Sequence, residues 1–167
     1  MCYEWCRCRI DRPGLVVPEN EGATICLKRK SCLSSGARKT QLPRGDARAN
    51  VDAMDPDVVV FDLPPPLAYR GEQACDIEGI NAWFATWRNG VTVHMADPQV
   101  MIDGDLAVAF GLSRMTGIKT DGTKVDSWSR RTIVLRRIAG SWKIIHEHAS
   151  FPMAMDGSGR AVTDLLP

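Results

Sequence analysis

Polar and apolar positions fall into two regimes along this chain, irregular up to about residue 45 and periodic beyond it. Val58-Val59-Val60-Phe61 is a β-branched apolar run and predicts a buried strand ending at Asp62. Leu63 and Pro64-Pro65-Pro66 follow. Prolines lack the N–H that a ladder needs, so a stiff loop is expected there. Ile77, Ile80, Trp83, Phe84 and Trp87 recur at spacings of three and four, which predicts a helix over about 72–88 with Asn89-Gly90 as its left-handed stop. Strands dominate afterwards, over 91–95, 99–102, 106–116, 124–137 and 142–150. Asp103-Gly104-Asp105, Asp121-Gly122 and residues 136–141 are the turns between them. A helix followed by a meander implies an α+β fold, a curved antiparallel sheet with the helix on its concave side.

This pattern divides the chain into an atypical, poorly ordered or peripheral segment (1–45), one domain (46–156) and a Gly157-Ser158-Gly159 tail (157–167). Length supports a single core, since 167 residues suit one domain. The hydrophobic and charged fractions, 44% and 25%, are ordinary for a globular protein. A formal net charge of +1 gives no electrostatic case for nucleic acid or a membrane surface. Nine Lys and Arg face four Asp and Glu in residues 1–45, but Lys28-Arg29-Lys30 is too short to make a nucleic-acid site. Five of the six cysteines lie in that segment without a C-x-x-C pair or a nearby histidine, so free thiols are expected rather than zinc. No apolar leader follows Met1 and no run approaches the ~20 residues of a membrane span, which predicts a cytoplasmic protein.

Candidate chemistry sits on two neighbouring strands. Side chains alternate faces, so Asp126, Trp128, Arg130 and Thr132 share one side of the first, and Trp142, Ile144, His146 and His148 one side of the second. If those sides look inward, aromatic rings, an arginine and two imidazoles meet in one half-apolar cavity. Arg130 would hold an anionic or carbonyl-bearing ligand, the histidines would shuttle protons, and Trp83, Trp87 and Trp128 would be walls. Structural readings stand beside this. Arg130 could pair with Asp126 two residues away, and each histidine could be satisfied by backbone carbonyls. A metal bound by His146 and His148 would need a third ligand such as His94 or Asp62. No metal and no cofactor is expected. Ile133, Leu135, Ile145 and Val108 then face outward and are too apolar for an exposed sheet, which predicts a homodimer.

Taken together, Pro56-Asp57-Val58-Val59-Val60-Phe61-Asp62, Ala82-Trp83-Phe84, Trp128-x-Arg130-x-Thr132 and Gly140-x-Trp142-x-Ile144-x-His146-x-His148-x-Ser150 resemble the SnoaL-like and ketosteroid isomerase-like group of the nuclear transport factor 2-like superfamily. The resemblance spans roughly 47–153. It implies a cone, a strongly bent sheet wrapped around helices with a deep pocket at one end, and dimerisation through the outer face. Asp62 stands where the isomerases keep their general base, after the first long strand and before a proline-containing loop. A carboxylate at the rim of an apolar cavity loses solvation and becomes a better proton shuttle near neutral pH. Alternatively, Asp62 caps the proline loop by accepting backbone N–H groups. The tyrosine of the isomerase oxyanion hole has no counterpart, Asp126 is not at a convincing register for its carboxylic acid, and Asn50-Val51-Asp52-Ala53-Met54 runs into Asp55-Pro56-Asp57 several residues short of the family's first-helix pattern. Two functions follow from the resemblance: a general acid/base enzyme (isomerase, cyclase or hydrolase) with Asp62 as base, or a non-catalytic ligand-binding or dimerisation domain.

Overall fold

The computed structural model describes residues 46–167, so the expectations placed on 1–45 lie outside the described residues. Asp46 starts helix α1 (Ala47–Asp52) by accepting the Ala49 N–H at 2.9 Å, the usual role of an N-cap carboxylate. Strand β1 (Met54–Phe61) follows and stops at the predicted place. After the proline loop come β2 (Tyr69–Arg70), a single 3₁₀ turn (Gly71–Gln73) and helix α2 (Ile77–Ala85), capped by Asp76. The remainder is β3 (Trp87–Asp103), β4 (Leu106–Lys119), β5 (Lys124–Ile138) and β6 (Ser141–Ser150).

Helix α2 is shorter than its apolar spacing predicts. It ends at Ala85, where the Thr86 hydroxyl donates to the Trp83 carbonyl at 2.7 Å. Trp87 already belongs to β3, and Gly90, at φ +87°, sits in a register shift inside that strand instead of closing the helix. A second shift between Ala96 and Gln99 merges the two short predicted strands into one bent strand, with Asp97 at φ +42°. An extra residue on one side of an antiparallel pair bends the strand and increases its twist, which is how a sheet this long curves.

The six strands run in the order β2-β1-β6-β5-β4-β3. The sheet is mixed, because β1 pairs parallel with β6 while every other pair is antiparallel. One face carries α1, the 3₁₀ turn and α2. Its core is Val58, Val60, Ile133 and Ile144, packed with Ala53, Tyr69, Ala74, Cys75 and Leu135. Burying each such aliphatic side chain contributes about 1.5–3 kcal/mol. At the far end of this covered face Trp87 lies on Gly117, where a Cβ would come within 2.7 Å of the indole. Gly117→Ala is therefore expected to shift the Trp87 ring and cost about 1–3 kcal/mol by overpacking. An unchanged urea midpoint would refute that contact.

This arrangement reverses the predicted assignment of faces on β5 and β6. Ile133 lies in the core, with Ser129 and Arg131 buried in phase with it. Leu135 also packs against that core, so neither Ile133 nor Leu135 faces outward. On β6, Ile144 belongs to the core, yet His146 lies on the opposite, open face. The reason is a register shift between Val134 and Leu135, with Val134 opposite His146 and Leu135 opposite Ile144. Ile145 is the extra residue. An odd insertion moves everything beyond it to the other face.

Candidate functional site

The row of residues across the covered face that passes through Arg131 holds its charge. Gly111 on β4 and Ala149 on β6 are the in-register neighbours of Arg131. One row away, Glu147 stands between Val60 and Ile133. Diagonal neighbours on paired strands are within reach of long side chains, and Arg131 Nη1 meets Glu147 Oε1 at 2.7 Å. The side chains are 5% and 2% exposed. Water is thus excluded from both partners, and each would be strongly penalised without the other.

Beside the guanidinium, β4 contributes only short residues, and the Met95 side chain of β3 lies over Gly111, 3.3 Å from where an added Cβ would stand. The covered side of β4 reads Ala107, Ala109, Gly111, Ser113, with nothing larger than a hydroxymethyl group. Ser113 donates to the His94 carbonyl at 3.4 Å and pairs in register with Ser129. The sheet near Arg131 therefore contributes short side chains and two hydroxyls. Asp62 lies one residue beyond Phe61, whose partner is His148, so the same register continues Asp62 towards Ala149 and the Arg131 row. It is in phase with Val58 and Val60. One of its oxygens accepts the Leu63 N–H at 2.8 Å, leaving the second for another donor.

Residues singled out from sequence separate into three places. Trp83 and Trp87 meet edge to face, 5.7 Å apart, at the α2 end of the covered face. There the Lys119 ammonium lies 3.7 Å from the centre of the Trp87 ring and donates to the Thr86 hydroxyl at 2.8 Å. Burial pushes the Lys119 pKa below that of an ordinary lysine, partly opposed by Asp121. His146 and His148 share the open face with Phe61, their rings at 5.0 and 5.8 Å from it. His146 donates through Nδ1 to the Val59 carbonyl at 2.8 Å. Arg130 is on that face too, exposed, donating to the Phe151 carbonyl at 3.0 Å. Thus Arg130 and the two imidazoles do not converge with Trp83 and Trp87.

Trp128 and Asp126 form the third group. Asp126 pairs not with Arg130 but with Arg114 of β4, whose Nε and Nη2 donate at 2.8 and 2.7 Å. The fork lies 5.6 Å from the Trp128 ring. Its hydrogen bond and charge hold the Asp126 carboxyl below the usual carboxylate range. A depressed carboxyl contributes stability that is present above its unfolded pKa and is lost as pH falls through the lower folded value. In Arg114→Met, the Asp126 carboxyl carbon should titrate at higher pH by NMR than in the unmodified protein. Equal midpoints would remove the pairing. Trp128 also lines an open hollow of about 360 Å³ with Ala96, Asp97, Gln99, Phe110, Gly111, Leu112 and Pro167. Among the described residues no three His, Cys, Asp or Glu side chains are arranged to hold a metal ion, and no helix is long and apolar enough to cross a membrane.

Arg131 and Glu147 escaped the reading from sequence, although each adjoins a residue that was named. Either alternation offers an arginine on β5 and ionisable groups on β6. The signal that separates them is the apolar company, because Ile133 and Leu135 follow Arg131 in phase, whereas Arg130 is followed by Thr132.

Comparison with solved structures agrees with this topology. A nuclear transport factor 2-like protein of unknown function from Pseudomonas putida superposes with a TM-score of 0.63 at 28% identity, over 73% of this chain and 83% of its own. A nuclear transport factor 2-like superfamily protein from Salmonella enterica gives 0.56 at 22% identity, over 69% and 84%. No curated protein is significantly similar to the chain. Residues 40–154 match the SnoaL-like domain family, and with its bent sheet, its helix-covered face and that match over more than half its length, the chain belongs to that family.

Proposed function

We propose that this domain binds a small anionic or carbonyl-bearing molecule on the covered face, with Arg131 as its anchor and Asp62 as the base that moves a proton. The observation that carries the reading is the Arg131–Glu147 pair, buried beside the short residues Gly111, Ser113, Ser129 and Ala149 at the edge of the aliphatic core. A hydrophobic pair of the same volume would be as stable there or more so, which favours a chemical use for the charges. A guanidinium has five donors and can hold a ligand oxygen while keeping Glu147. Glu147 fixes the fork, and Asp62 at the end of β1 supplies an acceptor beside the same row. The histidines take no part in this pocket; with Phe61, Val59, Val108 and Val134 they belong to the open face, which we assign to self-association as a homodimer.

The test uses small carboxylates and enones screened by thermal shift, since a pocket ligand raises the melting temperature by mass action. A hit should be retained by Asp62→Asn and weakened at least tenfold by Arg131→Lys, which keeps the charge but loses the planar fork. Turnover of that hit should disappear in Asp62→Asn. Binding with no chemical change in the unmodified protein would leave a binding domain, and a hit indifferent to Arg131→Lys would remove the anchor.

A further inference from the structure

The hollow around Trp128 lies on the open face, opposite the Arg131 row, and Pro167 borders it. Trp128, Phe110 and Leu112 form its apolar part, and the bend of β3 at Ala96 and Asp97 forms one wall. Arg114, held by both oxygens of Asp126, keeps the indole in place from the side. The remaining contributor is Pro167. The segment leading to it is anchored only at its start. Met153 bridges Ala161, Ala154 bonds the Arg160 carbonyl at 2.8 Å, and Val162 bonds the Pro152 carbonyl at 2.8 Å. Past Val162 no backbone hydrogen bond holds the chain among the described residues. Leu165 and Leu166 are 51% and 79% exposed. Residues 163–167 thus run over the surface without regular structure, and Pro167 reaches the edge of an aromatic hollow.

We propose that the Trp128 hollow is a docking site for an extended, proline-bearing segment, and that residues 163–167 of this chain are its occupant, a displaceable strap on the open face. The physical basis is general. A proline ring, its φ already fixed, presents a rigid apolar surface to an indole and loses little entropy on docking. Tethering supplies the rest. A short flexible connection gives an effective concentration on the order of millimolar, enough to seat a segment that binds only weakly when free. With few other contacts, the strap comes away at low cost and leaves Trp128 and Phe110 open.

The experiment follows the Trp128 indole N–H by NMR, identified by its loss in Trp128→Phe. Chains ending at Val162 should shift this resonance more than that of any other tryptophan. A synthetic peptide of residues 161–167, added at millimolar concentration, should return it towards its full-chain position. The same peptide should leave the full-length protein unmoved, because Pro167 already holds its place at the edge of the hollow. Pro167→Gly in the full chain should give a smaller shift in the direction of the truncation, which tests the proline itself without deleting anything. The proposal is overturned if truncation leaves the resonance in place, if peptide acts equally on both chains, or if binding survives Trp128→Ala.

Discussion

Glu147→Ala is expected to be the most damaging single change in the domain, lowering stability by about 3–5 kcal/mol. The loss is not the strength of one contact. It is the cost of leaving the Arg131 guanidinium buried, with its carboxylate partner at 2.7 Å removed and no water to replace it. For a chain of this size that corresponds to a fall in melting temperature of roughly 6–20 °C. Arg131→Met should cost a similar amount by taking the guanidinium away from Glu147, which is 2% exposed. The pair Arg131→Met with Glu147→Leu should be much less destabilised than the sum of the two, because the double change removes both charges together. Strictly additive losses in that cycle would show that the two residues are not coupled. The stable double variant also separates fold from function, since it should melt like the parent yet give no thermal shift with the anionic ligands that the parent binds.

The reach of sequence is clearest where the physics is local. Val58–Phe61 is apolar and β-branched and forms a strand with the predicted end, because proline at 64–66 cannot continue any ladder. The long strands β4, β5 and β6 follow from alternation between turn residues in the same way. What was not legible is every feature made by inserted residues. Asn89-Gly90 has the chemistry of a helix stop, but a left-handed glycine serves a bulge equally well, and only pairing with β4 decides between them. Trp87 keeps the helical spacing from Trp83 and yet starts a strand, because its indole is better buried on Gly117 than exposed beyond the helix.

Face assignment on β6 failed for the same reason. Trp142, Ile144, His146 and His148 alternate without a break in sequence, and the shift at Ile145 is set by how β6 meets β5 and β1. Once Ile144 is inside, His146 and His148 must be outside. The candidate site moves by one residue, from Arg130 to Arg131 and from the imidazoles to Glu147. Resemblance to a family carried the fold correctly but offered no protection against this error, since its motif runs through even positions on both sides of the shift at Ile145.

The reassigned open face leads to the second large expectation. Val134 is central on that face, in register with Val108 on one side and His146 on the other. Phe61 and Met101 on the same face remain 37% and 58% exposed. Apolar side chains on that scale ask for a partner surface. If two copies meet there about a two-fold axis, each substitution enters the contact twice. Val134→Asp would then place two carboxylates in one apolar patch, at a cost of several kcal/mol from repulsion and lost solvation. A penalty of about 4 kcal/mol is close to a thousandfold weaker dimer. Light scattering on a sizing column should show the parent at twice its 18.4 kDa chain mass and the variant at the chain mass, with unchanged far-ultraviolet circular dichroism. Val108→Asp should repeat the result, and Asp57→Ala, at an exposed position on β1 where no charge is added, should not. A parent that runs as a monomer at every concentration would leave the open face without a role in self-association, and the histidine pair beside Phe61 would need another explanation.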